Sequence, residues 1–138
     1  MKHQRLFILS ALIGMSFLQT VRAAIYHVGL GQPLTNINDI AMHELVAGDT
    51  VHIHWRAEPY REKFRLSGVG TAAQPIHVLG VPGPNGERPV IDAENATTHP
   101  TDYWPVYGNN QSTGDTGPII VRRGPNRPYT EKPSHIII

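Results

Sequence analysis

The sequence predicts an all-β fold, and three observations support this prediction. The 138-residue chain contains 13 Gly and 12 Pro, and nearly all of them follow the first 23 residues and bound short apolar stretches. Those stretches are rich in Val and Ile, which favour strands. Only one segment has its apolar residues at helical spacing. Because cysteine is absent, the fold must depend on core burial or regular backbone pairing rather than on disulfides.

The first 23 residues have the layout of a secretory signal peptide. A charged start with Lys2 and Arg5 precedes the apolar run Leu6–Leu18. Val21 and Ala23 then occupy the positions that a signal peptidase recognises. The apolar run is shorter than the roughly 20 residues of a membrane span. We therefore expect cleavage after Ala23 and a secreted or periplasmic product with no membrane attachment; an uncleaved membrane anchor is the alternative.

The expected mature domain, residues 24–138, is slightly acidic. Cleavage removes Lys2, Arg5 and Arg22 from the 12 Lys and Arg and removes none of the 11 Asp and Glu. The remaining 9 basic and 11 acidic residues give a formal charge of −2. With no basic excess, the composition argues against a nucleic-acid partner.

Seven short segments are predicted to be strands, because Val and Ile cluster in them and Gly or Pro turns bound most of them. In chain order they are Ile25–Val28, Thr50–Trp55, Lys63–Leu66, Pro75–Gly80, Val90–Asp92, Ile119–Arg122 and His135–Ile138.

The segment Asn36–Val46 is predicted to be a short amphipathic helix. Thr35 or Asn36 can act as its N-cap, and Gly48 stands where a helix would stop. We expect its single apolar face to cover other apolar surface. The residues of that face recur at helical spacing and are Ile37, Ile40, Ala41 and Leu45.

Three strand sequences align with one another and suggest a repeat. Val51–Ile53 aligns with Ile76–Val78 at a spacing of about 25 residues, which lies in the range of solenoid repeats. The next match, Ile136–Ile138, lies about 60 residues further on, so we expect a loop-rich insertion over residues 93–132. From this pattern alone, a β-sandwich or a jelly roll remains open.

Four stretches carry a resemblance to a known family: AGDTVHIH, YREKFRLSGVGTAAQPIHVLGVPGPNGERPVID, DYW and PSHIII. The chain resembles the N-terminal part of secreted right-handed parallel β-helix proteins of the pectate-lyase-like superfamily. The resemblance covers most of residues 25–138, and its most specific part runs from Gly70 to Asp92. It implies the first coils of a right-handed parallel β-helix, with the helix Asn36–Val46 as an N-terminal cap.

The resemblance also implies that the chain is truncated at its C-terminal end. Such proteins run through many more coils, so Ile136–Ile138 are expected to begin the next coil. The missing C-terminal coils are then a partner of this part of the chain. An uncovered last coil is an open sheet edge, and we therefore expect the fragment alone to be marginal in stability or prone to association.

Two functions are compatible with the resemblance. The first is that of a polysaccharide lyase-like enzyme, which would act by β-elimination on an acidic polysaccharide, with calcium possible in the full-length protein. The catalytic groups of related proteins lie on middle coils, so no catalytic residue can be assigned and no independent catalysis is expected here. The alternative is a non-catalytic carbohydrate-binding or cell-surface solenoid. The residues themselves identify no cofactor.

Five residues are candidates for substrate binding. Arg61, Lys63 and Arg65 alternate along one strand and would form a basic stripe suited to carboxylates, although such a stripe can also be an ordinary solvated strand face. Tyr103 and Trp104, in a loop-rich segment with Tyr107, could stack on sugar rings. These aromatic residues could equally pack the insertion onto the solenoid.

Two groups of residues have the chemistry of metal ligands, but a metal site is predicted at neither. The proposed alignment places His52 beside His77 on the outer face of the sheet, where the pair could hold a metal or simply form a polar ladder. The second candidate is a set of acids in or near the insertion, whose spacing matches no compact calcium loop. Its members are Asp92, Glu94, Asp102 and Asp115.

Overall fold

The computed structural model describes residues 22–98, 117–124, 128 and 130–138, and within them the chain is built from strands. Two single-turn 3₁₀ helices, Ile37–Asp39 and Met42–Glu44, lie between the first two strands. The all-β prediction is therefore confirmed. The strands are β1 (Ile25–Val28), β2 (Thr50–His54), β3 (Glu62–Leu66), β4 (Ile76–Val81), β5 (Thr97–Thr98), β6 (Ile119–Val121) and β7 (Ile136–Ile137).

The strands form two sheets, and every pairing between named strands is parallel. The first sheet has the order β1-β2-β4-β7, and the second has the order β5-β3-β6. In the first sheet the spatial order follows the chain order. Ile25 pairs with Thr50, Thr50 with His77, and His77 with Ile137. Successive passes of the chain are thus stacked in one direction.

The core contains alternate residues of the strands together with residues of the 3₁₀ segment. In β2, Val51 and Ile53 are buried, whereas Thr50, His52 and His54 are half-exposed. This is expected because successive side chains of a strand point to opposite faces. Burying one Val or Ile side chain contributes about 1.5–3 kcal/mol. The buried apolar set is Val28, Ile37, Ile40, Met42, Leu45, Val51, Ile53, Tyr60, Phe64, Leu66, Ile76 and Val78.

Six of the seven predicted strands form within one or two residues of the predicted bounds. The exception is Val90–Asp92, where only Ile91 makes an isolated bridge, to Tyr60. The short strand β5 was not predicted, since Thr97 and Thr98 follow no apolar alternation. Residues 99–116, 125–127 and 129, about half of the expected insertion over residues 93–132, lie outside the described part of the chain.

The predicted helix Asn36–Val46 does not form, and two 3₁₀ turns take its place. Ile40, between them, is extended, with φ −107° and ψ 134°. In an α-helix Ile40 and Met42 would lie about 200° apart around the axis, so both could not face the core. The extended residue lets both side chains be buried. The prediction that this segment covers apolar surface is nevertheless confirmed.

The predicted alignment of β2 with β4 is wrong by two residues. His52 pairs with Leu79, and His77 pairs with Thr50. Alternation determines which face a residue occupies, and a shift of two residues leaves the faces unchanged, so the pattern could not determine the register. The observed register is held by backbone hydrogen bonds from Gly48 to Gln74 and from His77 to Asp49. The alignment of Ile76 with Ile136 is confirmed.

Candidate functional site

A polar cleft of about 470 Å³ lies beside the first 3₁₀ turn and the segment that joins β2 to β3. Amides, carboxylates and guanidinium groups line it, and these groups can donate to and accept from the hydroxyls of a sugar. The lining includes Asn36, Asn38, Asp39, Arg56, Glu58 and Arg61.

Two carboxylates hold the 3₁₀ wall of the cleft in place. Oδ2 of Asp39 accepts hydrogen bonds from the backbone N–H groups of Thr35 and Asn36, at 3.0 and 2.8 Å. Oε2 of Glu62, a residue only 6% exposed, accepts from the backbone N–H of Asn38 at 2.6 Å. Glu62 therefore joins β3 to the turn, and the Asn side chains sit on a fixed backbone.

Arg56 holds the opposite wall by donating to backbone carbonyls. Its guanidinium group donates to Glu58, Thr35 and Pro59, at 3.0, 3.2 and 3.4 Å. The same group lies 3.8 Å from the centre of the Tyr60 ring, a distance at which a cation is attracted to the ring face. Arg56 thus joins the connection between β2 and β3 to the segment that precedes the first 3₁₀ turn, and much of its hydrogen-bonding capacity is already used.

Arg61 is engaged by two carboxylates. Its Nη2 lies 3.0 Å from Oδ2 of Asp92, and its Nη1 lies 3.0 Å from Oε2 of Glu94. The hydrogen bond to Glu94, and then the charge of Asp92, raise the pKa of the Arg61 guanidinium. Together the three side chains carry a net negative charge, so they are not a free cationic site for an acidic polymer.

The predicted basic stripe is not an exposed stripe. Arg61 is exposed and Lys63 is half-buried, but Arg65 is only 1% exposed. Four of the five residues of β3 are buried, because the strand lies inside a parallel sheet, and such sheets are commonly covered on both faces. Alternation correctly separates the two faces of β3 but does not show what covers them. Arg65 is therefore removed from the surface that a polysaccharide can reach.

The aromatic candidates Tyr103, Trp104 and Tyr107 lie outside the described residues, as do Asp102 and Asp115. Of the four acids considered as calcium ligands, the structure describes Asp92 and Glu94, and both form ion pairs with Arg61.

A cluster of three imidazoles lies on the outer face of the first sheet. His27 of β1 pairs in register with His52 of β2, and His54 follows two residues later on the same face. Nδ1 of His27 and Nε2 of His54 share a hydrogen bond 2.9 Å long. The ring centres of His27 and His52 are 4.8 Å apart, and those of His27 and His54 are 5.2 Å apart. We call these three residues the histidine cluster.

The environment of His54 favours its neutral form. Burial, followed by the charges of His27 and His52, lowers the pKa of the His54 imidazole. Its carbonyl oxygen accepts a hydrogen bond of 2.6 Å from the Tyr60 hydroxyl, whose own pKa is raised mainly by burial. The backbone that carries His54 is therefore held from the core side.

The repeat pattern predicts His52 beside His77 and does not single out His27. The sequence nevertheless carries a signal for the correct neighbour, because Ile25–Val28 and Thr50–Ile53 each have His at the third position, about 25 residues apart, within the solenoid range. An alignment of β1 with β2 on this signal places His27 beside His52, as observed.

Within the described ranges, no group of three or more His, Cys, Asp or Glu side chains could hold a metal ion as the side chains stand. The described part of the chain also contains no helix with the length and apolar character needed to cross a membrane.

Comparison with known proteins adds no relative: no family model, no curated protein and no solved structure matches this chain.

Proposed function

We propose that this chain forms the first coils of a right-handed parallel β-helix and binds polysaccharide in its polar cleft. The observation that carries the proposal is that the parallel strands of the first sheet stack in chain order, with the cleft beside the stack. The expected signal peptide places such a protein outside the cytoplasm, where polysaccharides are found.

The path of the chain supports the solenoid. It runs from β2 in the first sheet to β3 in the second, back to β4 in the first, through β5 and β6 in the second, and then to β7 in the first. Each return to the first sheet adds the next parallel strand. Stacked coils of this kind offer an extended surface, which suits a long polymer.

The chemistry of the cleft supports a hydroxyl-rich ligand. The side-chain amide of Asn36 and the carboxylates of Asp39 and Glu58 are exposed residues of its lining, and such groups can hydrogen-bond to sugar hydroxyls. The two guanidinium groups of the cleft are less suited to binding a polymer of uronic acids. Carboxylates already contact Arg61, and backbone carbonyls already accept hydrogen bonds from Arg56. Elimination on a uronate also needs positive charge near the substrate carboxylate. We therefore propose binding rather than lyase activity for this cleft.

A polysaccharide panel with matched variants tests the proposal. Affinity electrophoresis would compare neutral glucan and xylan with polygalacturonate and alginate. Glu58 is exposed and lines the cleft, so Glu58→Ala removes one acceptor at little cost to folding. A hydrogen bond to a charged group contributes about 1.5–3 kcal/mol, so we expect neutral-polymer binding to weaken about tenfold or more.

The control is Glu44→Ala, which removes a carboxylate that is 74% exposed and does not line the cleft. We expect it to bind as the unmodified chain does. Failure of every polymer to bind, or equal losses in the two variants, would overturn the proposal. Preferential binding of acidic polymers, strengthened by Glu58→Ala, would instead favour the acidic-polysaccharide function.

A further inference from the structure

We propose that the histidine cluster, His27, His52 and His54, is a binding site for a divalent transition-metal ion such as Zn²⁺. This site lies on the outer face of the first sheet, is separate from the polar cleft and does not depend on polysaccharide binding.

The strands bring the three imidazoles to one patch of surface. His52 and His54 are two residues apart on β2, so their side chains leave the same face. β1 runs parallel to β2 and places His27 directly beside His52. All three residues are half-buried, so an ion can reach the rings from solvent while the surrounding protein restricts their motion.

Two ligand atoms are already close to the spacing that a metal requires. Zinc binds imidazole nitrogen at about 2.0–2.1 Å, which places two tetrahedral ligands about 3.4 Å apart. Nδ1 of His27 and Nε2 of His54 are 2.9 Å apart and share a hydrogen bond. A metal ion can replace the shared proton if the two rings separate by about 0.5 Å.

His52 can supply a third nitrogen by rotation of its side chain. Its ring centre is 4.8 Å from that of His27, and the planes are tilted by 46°, so the ring is adjacent to the pair but not yet directed at the same point. Three imidazoles with an open fourth position form one known class of zinc site. As the side chains stand, no group of three or more His, Cys, Asp or Glu among the described residues could hold a metal ion, so His52 must rotate before the third ligand is in place.

The ligand set indicates the class of ion. Imidazole nitrogen suits zinc, copper and nickel, whereas calcium requires oxygen ligands.

Calorimetric titration tests the proposal on the full chain, purified without an affinity tag and treated with a chelator. We expect one equivalent of Zn²⁺ to bind and Ca²⁺ to give no heat. His27→Gln and His54→Gln should each weaken binding by more than an order of magnitude. His77→Gln is the matched control, because His77 lies on the same sheet but pairs with Thr50 and Ile137; its affinity should be unchanged.

A second measurement separates coordination from adventitious binding. Nitrogen-15 spectra of the histidine side chains should show zinc-dependent shifts at Nδ1 of His27 and Nε2 of His54. Circular dichroism of the metal-free variants checks that they are folded. The proposal is overturned if Zn²⁺ does not bind at millimolar concentration, if both variants bind normally, or if only other histidines shift.

Discussion

His54 couples the stability of the protein to pH. Burial and two neighbouring imidazoles lower the pKa of its side chain in the folded protein, whereas in the unfolded chain the pKa is about 6.5. The unfolded state therefore binds the proton more readily. The contribution of neutral His54 to the free energy of unfolding is complete above about pH 6.5 and is lost as the pH falls below that value.

We predict that the thermal midpoint of the metal-free chain decreases between pH 8 and pH 5. His54→Gln cannot take up this proton, so its midpoint should decrease less over the same range. Thermal unfolding followed by circular dichroism at half-unit steps of pH provides the measurement. Identical pH profiles for the two proteins would show that His54 does not cause the effect.

Arg65 shows the limit of sequence analysis at the residue scale. The alternation of Lys63 and Arg65 places them on one face of β3, because alternation is a local property of strands. Their exposure depends on neighbouring parts of the chain that no local pattern specifies. The same limit applies to Glu62, which the sequence presents as one more charge but which is buried and accepts from the backbone of Asn38.

At the scale of elements, the connection from β3 to β4 depends on a glycine. A Cβ atom at Gly68 would collide with the Ile76 side chain and with the backbone carbonyl of Leu45. The carbonyl belongs to the 3₁₀ segment and cannot move without shifting that segment away from the core. Gly68 thus allows the second sheet and the 3₁₀ turns to approach closely.

We predict that Gly68→Ala destabilises the protein by about 3 kcal/mol, near the upper end of the cost of overpacking. Gly117→Ala is the matched control, since no atom lies within 4 Å of the added Cβ, and it should change stability by less than about 0.5 kcal/mol. Urea unfolding measures both. A Gly68→Ala variant as stable as the control would mean that the 3₁₀ segment packs less closely than the structure shows.

The elements also show which features of the fold a sequence can reveal. Val and Ile runs between Gly and Pro turns indicated β1, β2 and β4 because strands and turns are both local. The helix prediction failed at Ile40, since spacing alone could not show that Met42 also needed to be buried. The predicted register of β2 and β4 was wrong for a different reason. The register depends on contacts between residues that are distant in sequence, such as that of Gly48 with Gln74.

At the scale of the whole molecule, the backbone at the expected signal-peptide cleavage site is hydrogen-bonded to a buried carboxylate. The backbone nitrogen of Ala24 lies 2.8 Å from Oδ1 of Asp49, which is only 3% exposed. Oδ2 of the same residue accepts from the N–H of Val46. If cleavage follows Ala23, the new α-amino group of Ala24 becomes a charged partner of Asp49, and removal of the leader then strengthens the fold.

We predict that the mature chain begins at Ala24 and that Asp49→Asn destabilises it by about 1.5–3 kcal/mol, the range for a hydrogen bond to a charged group. In a chain that begins at Ala23 the same substitution should cost less, because the nitrogen of Ala24 is then an uncharged amide. Intact mass gives the terminus, and urea unfolding gives the stabilities. Equal costs in the two chains would contradict the ion pair.

The pairing of β4 with β7 shows how the first sheet accommodates very unequal connections. Ile76 lies directly beside Ile136, although the chain between them is more than twice as long as that between β1 and β2. The entropy of closing a loop grows only with the logarithm of its length, so the longer connection costs about 0.8 kcal/mol more than the shorter one. Outside β5 and β6, which pair with β3, this connection can therefore lengthen or shorten over evolutionary time while the first sheet keeps its register, and it is there that a foreign recognition loop could be grafted.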